Sequence, residues 1–470
     1  MDIEVVDAPA AADDPPPVEV AREDERSWWR RRVVEASPGA QAMAIGVLVA
    51  AVSLAVRWWQ SSGRVPGWWN DTGAYDEVSK RSLTSGRFWM AERPPGVPLV
   101  MKLVGDPPSY RFMYVNIGAA CVAWGWLAEE VVRALGAVRL RAVAVGVAVI
   151  GLSFASEVIL WDSQVLSESL AISLLVGLVA AVLEVLRLRS LPSVLQLLVV
   201  AWLWVLLRDT NAVTLLVLAA VAGVCVWRFG FLDVPRKVAA VAVVGLLAVA
   251  GFSMTSAWVG HRDLVPLADV FAARILGYED RVDWFADHGM PQRDEILEAG
   301  KGIGPDSDPR TLELGRNDPK WAEWWRWLRS DGKATWVRFV VEHPTYLFTE
   351  PMKDPERTYN NSGLTGYAGE MRVIPFADEV FWLPMPLVVV GLSALSVAQL
   401  RRRRHPPPVV AVAWTLAGAA ALAGFMTWHT GGMETGRHLL VSAFEARLAL
   451  VLLVLGILMQ PSTEAQAEGG

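Results

Sequence analysis

The sequence predicts an all-α integral membrane protein: a polytopic bundle of about ten transmembrane helices with an external, mostly helical insert. Three observations lead there. Of its 470 residues 53% are hydrophobic and the mean hydropathy is +0.33, too apolar for an ordinary soluble chain of this length. The apolar residues gather into about ten runs, most of them close to the roughly 20 residues that cross a bilayer as a helix. Basic residues fall in alternate connections between those runs, the asymmetry that orients membrane helices.

Taken in order, residues 1–38 form a cytoplasmic tail. Its first 26 residues are rich in Pro, Asp, Glu and Ala, a composition that cannot bury enough apolar surface to order itself. Its charges extend far ahead of any apolar run, which excludes a signal peptide. Runs at 40–59, 111–132, 142–160, 165–186, 194–207, 211–229 and 238–257 build a membrane module of about seven spans over residues 39–257, with a first external loop at 60–110. Runs at 382–400, 409–428 and 440–459 build a second module over 382–460, and 461–470 is a second cytoplasmic tail. Arg30 to Arg32, Arg133, Arg139, Arg141, Arg187, Arg189, Arg228, Arg236, Lys237 and Arg401 to Arg404 then share one side. Calling it cytoplasmic places both termini inside and the segments 60–110 and 258–381 outside the cell membrane.

Of the 23 Trp residues, Trp58, Trp59, Trp161, Trp227, Trp258, Trp382 and Trp428 stand at span ends, where interfacial anchors belong. The external segment 258–381 carries a Trp-rich run, Trp321 to Trp327, and a second amphipathic stretch from Thr335 to His343 that stops before Pro344. Trp beside Arg fits helices lying on the membrane surface, and equally fits a small cap packed on the bundle. Cys121 and Cys225 both lie in apolar runs, so no disulfide framework is expected. No concentrated basic tract points to nucleic acid. Glycine-rich nucleotide loops and nucleophile elbows are missing.

The chemistry collects on the outer side. Asp71, Asp76, Glu92, Glu157, Asp162, Glu168, Arg208, Asp209, Glu434, Arg437 and His438 all fall on that side, the later ones at or near outer span ends. Ionised groups there are expensive unless paired or solvated, so their convergence predicts a hydrated external cavity. Asp71, followed by Thr72 and Gly73, reads on its own as a helix start and otherwise as a general base. Glu77 faces Arg81 four residues on, a plain helical ion pair. Glu92-Arg93-Pro94-Pro95-Gly96 is a rigid extended turn before a re-entering helix. Arg208 offers a guanidinium fork to a phosphate, or pairs with Asp209 or Asp162. His429 and His438 lack the spacing of a zinc site.

The stretches Asn70 to Tyr75, Gly86-Arg87-Phe88 and Arg93-Pro94-Pro95-Gly96 together resemble the first external loop of the GT-C superfamily of membrane glycosyltransferases. That loop carries an acid near a Tyr, a short helix, a Gly and an Arg-x-Pro-Gly turn. Trp161 to Leu170, with its Leu-Ser-Glu-Ser-Leu helix start, resembles the second external loop. Leu207-Arg208-Asp209 resembles a Thr-Arg-Pro turn with Asp209 in place of Pro, and Gly436-Arg437-His438 resembles a Gly-Arg-Tyr turn with His438 in place of Tyr. The likeness is to the group of protein mannosyltransferases, aminoarabinose transferases and arabinofuranosyltransferases. It implies an inverting transfer of a hexose or pentose from a polyprenyl-phosphate sugar to a glycan, lipid or protein of the cell envelope. In that scheme Asp71 is the base, Asp162 assists, Arg208 and Arg437 neutralise the lipid phosphate, and Tyr75, Glu92, Arg93, Glu168 and His438 support substrate. In the same scheme Asp162 shares with Asp71 either a proton, a divalent cation (Mg or Mn) or the acceptor, and the sequence does not choose among them. The alternatives are a lipid or polysaccharide transporter, which tends to show internal repeats not seen here, and a non-catalytic membrane protein that binds envelope glycans.

Overall fold

The computed structural model describes residues 37–105, 110–224, 235–291, 318–353, 372, 374–402, 406–431 and 435–459. Among these residues every regular element is helical. The N-terminal tail, Cys225, Trp227, Glu434 and the 461–470 tail lie outside them.

Helix α1 (Pro38–Ser61) opens the bundle, with Pro at its first helical position and the Ser37 hydroxyl accepting from Ala40 N at 3.3 Å. Three short helices follow, α2 (Asn70–Ser79), α3 (Gly86–Trp89) and α4 (Gly96–Val104), before the long α5 (Tyr110–Leu135). The next apolar run is broken. Helix α6 (Leu140–Ser153), α7 (Ser156–Ile159) and a 3-10 turn (Leu160–Ser163) bend by 64° in mid-course. Then come α8 (Glu168–Leu188), α9 (Leu191–Val205), α10 (Asn211–Val224) and α11 (Arg236–Val259). Beyond the next helices, α12 (Leu264–Arg274) and α13 (Glu279–Asp287), lie α14 (Ala322–Trp327), α15 (Lys333–Glu342) and α16 (Tyr346–Thr349). The chain closes with α17 (Pro375–Phe381), α18 (Met385–Arg401), α19 (Pro408–Thr430) and α20 (Thr435–Leu458).

Six of these helices, α1, α5, α8, α11, α19 and α20, are long and apolar enough to cross a membrane, and the bent pair makes up to seven. The expected count of ten is not reached on that measure. Helices α9, α10 and α18 occupy the remaining runs with 15, 14 and 17 described residues.

Helix α8 is the axis of the bundle. Most of it is buried, whereas α1 and α11 turn much of their apolar surface outward. It packs on α5 and α9, while α19 packs on α20 and on α10. Close approach is written in small residues: a Cβ at Gly46 would meet the Gly125 carbonyl at 2.9 Å, so α1 and α5 touch backbone to backbone. Trp58, Trp59 and Trp258 are exposed as interfacial anchors should be, but Trp161, Trp382 and Trp428 are buried and serve packing instead.

Helices α12 to α16 form a core of their own. Trp321, Trp324, Trp325 and Trp327 are buried with Phe271, Phe285, Trp336, Phe339 and Tyr346. Of the two readings of the Trp-rich run, this is the packed cap. The indoles meet neighbouring rings edge-on, as between Trp324 and Phe271 at 6.2 Å and Trp327 and Phe271 at 5.4 Å.

Candidate functional site

The end of α1, the starts of α8, α10 and α20, and the end of α9 all lie at one end of the bundle, and the polar residues flagged from the sequence meet there. Asp71 stands in the first turn of α2. It does not cap that helix: Thr72 Oγ1 accepts from Trp69 N at 3.0 Å and donates to the Val165 carbonyl at 3.0 Å, tying the first loop to the second. The Asp71 carboxylate instead bridges two arginines, Arg93 Nη2 at 3.1 Å and Arg437 Nη2. Arg437 turns its Nε to Glu168 Oε1 at 2.8 Å, and Arg208 Nη2 reaches the same oxygen at 3.4 Å. The result is a chain, Arg93–Asp71–Arg437–Glu168–Arg208, assembled from four segments far apart in sequence.

Local structure explains how each arm arrives. The Pro94-Pro95 pair stiffens the approach to α4, and Gly96 N donates to the Leu206 carbonyl at 2.7 Å. A Cβ at Gly96 would stand 2.7 Å from that same oxygen, so only glycine lets the Arg93 turn press on the loop that carries Arg208. Glu168 is the first residue of α8, where the helix dipole favours a carboxylate. Arg437 lies in the first turn of α20, and the His438 ring sits against Gly431 at the end of α19.

Exposure is graded along the chain. The side chains of Arg93 and Asp71 are 29% and 18% exposed, those of Arg208 and Arg437 12% and 6%, and that of Glu168 0%. The cluster therefore opens on its Asp71–Arg93 side and closes at Glu168. It is also incompletely satisfied: Arg208 Nη1 and Glu168 Oε2 are buried without a hydrogen-bond partner. Burial alone would raise the Asp71 pKa, but Arg437 and Arg93 override it and hold the carboxyl well below its usual range. Tyr75, buried one turn further along α2, is pushed up to about 12 by burial and by the Asp71 charge, so it stays a neutral phenol.

Two predicted residues stand elsewhere. Asp162 pairs with Arg57 in α1, accepts from Ser169 Oγ at 2.7 Å, and is buried. Its backbone carbonyl accepts from Asn116 Nδ2 at 3.1 Å. Arg57 in turn donates to Ser53 Oγ at 3.1 Å and to the Ser153 carbonyl at 3.1 Å. This closed pair stitches α1, α5, α6 and α8 together beside the bend, and Asp162 faces Arg57 rather than Asp71. Glu92 is taken by Arg81, at 2.6 and 3.0 Å, in an exposed bidentate pair, while Glu77 pairs with Lys80 rather than Arg81. Arg208 pairs with neither Asp209 nor Asp162: Asp209 instead faces the buried Arg262 at 3.2 Å. Burial raises the Asp209 pKa to about 6 and lowers that of Arg262.

Sequence reasoning passes over Arg57, Arg262 and Arg274. The signal for Arg57 is an arginine inside an apolar run just before two Trp residues, since a charge there needs a partner. Among the described residues no three His, Cys, Asp or Glu side chains gather to hold a metal. Asp71 and Asp162, the suggested pair of cation ligands, are each committed to guanidinium groups. The donor set does not fit a bound divalent cation.

No family model and no curated protein matches the chain. Among solved structures it is similar to the archaeal oligosaccharyltransferase AglB from Archaeoglobus fulgidus, in complex with an inhibitory peptide and a dolichol-phosphate, at 13% identity and a TM-score of 0.43. The likeness covers 88% of this chain and 50% of AglB, so the chain spans about half the length of that protein.

Proposed function

We propose that the chain is an inverting membrane glycosyltransferase that moves a sugar from a polyprenyl-phosphate carrier to a cell-envelope acceptor at the outer membrane face. One observation carries this reading. Among the described residues three arginines from separate segments, Arg93, Arg208 and Arg437, converge on two carboxylates, Asp71 and Glu168, in a partly open site where Arg208 Nη1 is buried without a hydrogen-bond partner. A lipid phosphate oxygen is the partner such a fork suits.

The chemistry follows from the competition for Arg437. In the free protein Asp71 is ionised and a weak base, because Arg437 and Arg93 stabilise its charge. A phosphate bound at Arg208 and Arg437 draws Arg437 away from Asp71. The carboxylate regains basicity and takes the proton of the acceptor hydroxyl. That oxygen attacks the anomeric carbon as the carbon–oxygen bond to phosphate breaks, and the electron pair leaves on the phosphate. Arg208 and Arg437 neutralise it, a charge stabilisation fixed before reaction begins. Glu168, buried beneath both arginines, holds them in place. Tyr75 and His438 line the same end, and Glu92, paired with Arg81, lies at the rim in this scheme. No step runs through a metal.

Purified protein in nanodiscs, given a panel of polyprenyl-phosphate sugars, should release free polyprenyl phosphate from one of them. Asp71→Asn should lower that release by about 10²–10⁴-fold without unfolding the protein, and Arg208→Ala should weaken donor binding. A folded Asp71→Asn protein with undiminished release removes Asp71 as the base. Silence across the panel with intact wild type overturns the reading.

A further inference from the structure

One of the contacts that fasten helices α12 to α16 to the bundle adjoins the site. Arg274, the last residue of α12, is buried, and among the described residues no carboxylate forms an ion pair with it. Its Nη1 donates to the Trp428 carbonyl at 2.5 Å and its Nη2 to the Gly431 carbonyl at 2.8 Å. The guanidinium also lies 3.6 Å above the Trp428 ring. These are the carbonyls that the end of α19 leaves without helical partners, at the negative end of the helix dipole. Burial lowers the Arg274 pKa only to about 10, so the cation persists at neutral pH.

Behind Arg274 stands a second arginine. Arg281 donates to the Arg274 carbonyl, forms a two-pronged pair with Glu350 at 3.1 and 2.8 Å, and lies 4.0 Å over Tyr278. His429 Nε2 meets the Leu347 carbonyl at 3.1 Å, so α16 grips the same helix end. The cap core thus reaches Gly431 through fixed contacts. Ahead of Gly431 is the site: a Cβ there would stand 3.1 Å from His438 Nδ1, and His438 neighbours Arg437. His438 in turn lies within electrostatic reach of Arg437, Arg208, Asp71 and Arg93.

We infer that Arg274 is a positioning residue for the Arg437–His438 half of the site, setting it through Gly431. A buried arginine satisfied by carbonyls and an aromatic face is a costly way to attach a cap, whereas the Trp cluster already supplies apolar packing. What Arg274 adds is registration of the end of α19, at Gly431, against His438 in the first turn of α20. The contact path stands on the geometry alone; only its consequence for ligand binding rests on the proposed role of Arg437.

The test compares wild type, Arg274→Ala, Arg274→Lys and Gly431→Ala in nanodiscs. Hydrogen exchange is read at the amides of residues 439–445, with α8 amides as the internal standard, and binding of a short-chain polyprenyl phosphate is measured on the same samples. Gly431 has an extended backbone that alanine also adopts, φ −123° and ψ 124°, so its variant crowds His438 while leaving the clamp in place. Arg274→Ala should speed exchange at 439–445 at least several-fold and leave α8 unchanged. Arg274→Lys should restore only part of the protection, since an ammonium cannot span both carbonyls in a plane. Both Arg274→Ala and Gly431→Ala should weaken lipid-phosphate binding by about 10-fold, a loss of order that of a single ionic hydrogen bond. Unchanged exchange at 439–445 in Arg274→Ala overturns the inference whatever the ligand does. Normal exchange behaviour with no binding by wild type counts against the proposed function and leaves the positioning role standing.

Discussion

Two assemblies of acid and guanidinium lie a short stretch of chain apart in this protein, and they are built to opposite rules. Arg57 and Asp162 are sealed, their side chains 1% and 2% exposed, with Ser53, Ser153, Ser169 and Asn116 taking the remaining contacts. The Arg93–Asp71–Arg437–Glu168–Arg208 chain has more cations than anions, runs from half-open to buried, and leaves polar atoms unsatisfied. A balanced, closed pair has nothing left to bind and fixes helices in place. An unbalanced, open one retains capacity for a ligand. Ser153 Oγ and Asn116 Oδ1 beside the closed pair are also buried without a partner, so what separates the two assemblies is the balance of charge and the bonds left open on the charged groups themselves.

Breaking the closed pair should give the largest change in stability. Arg57→Ala leaves the Asp162 carboxyl among buried helices without its cation, which should destabilise the protein by about 3–5 kcal/mol. Denaturant titration of folded protein in detergent would show it, and Arg57→Met with Asp162→Leu should recover most of the loss. A single variant as stable as wild type would mean that the pair contributes no constraint. Gly96→Ala comes next, because its Cβ meets the Leu206 carbonyl and the Leu207 side chain, each at 2.7 Å. Overpacking of this kind costs about 1–3 kcal/mol. It should also weaken donor release by pushing Arg93 off the Arg208 loop, a loss that a purely structural glycine would not produce.

Titration sharpens the contrast further. Asp209 has a folded pKa of about 6 against an ordinary 3.8, so between those values the folded chain holds a proton that the unfolded chain has lost. Stability should fall as pH rises from about 4 to 6, by on the order of 1–3 kcal/mol, and flatten in Asp209→Asn. Asp71 has the opposite sign. Its lowered pKa contributes stability above the ordinary carboxylate range, lost as pH falls below about 4. The melting midpoint followed against pH in the two Asn variants separates them. The smallest effect belongs to the exposed Arg81–Glu92 pair: Glu92→Gln should change stability by under about 1 kcal/mol and leave phosphate release unaltered. A large loss of release would bring Glu92 into the site.

Much of this could be read from the chain because hydrophobicity and charge placement are local. Apolar runs of span length gave the six long helices, and the polar residues at alternate connections marked the end where Asp71, Glu168, Arg208 and Arg437 meet. The bend of 64° between α6 and α7 was not legible, since a broken run and a continuous one have the same composition. Nor was the fate of the Trp-rich run: seven residues dense in Trp suit a membrane surface and a packed core equally, and only the rings of Phe271, Phe285 and Phe339, from distant segments, decide for the core.

What the sequence determined by itself is the class of molecule, its membrane helices, and which residues have chemistry to offer, because each follows from properties a residue keeps in any fold. What only the tertiary structure decided is pairing. Asp162 and Asp71 look alike in sequence, an acid beyond the end of an apolar run near a helix start. One is closed off by Arg57, 105 residues away, and the other is shared between Arg93 and Arg437, the latter 366 residues away. A carboxylate's charge, basicity and availability depend on which cations surround it, and that is a property of contacts between distant segments.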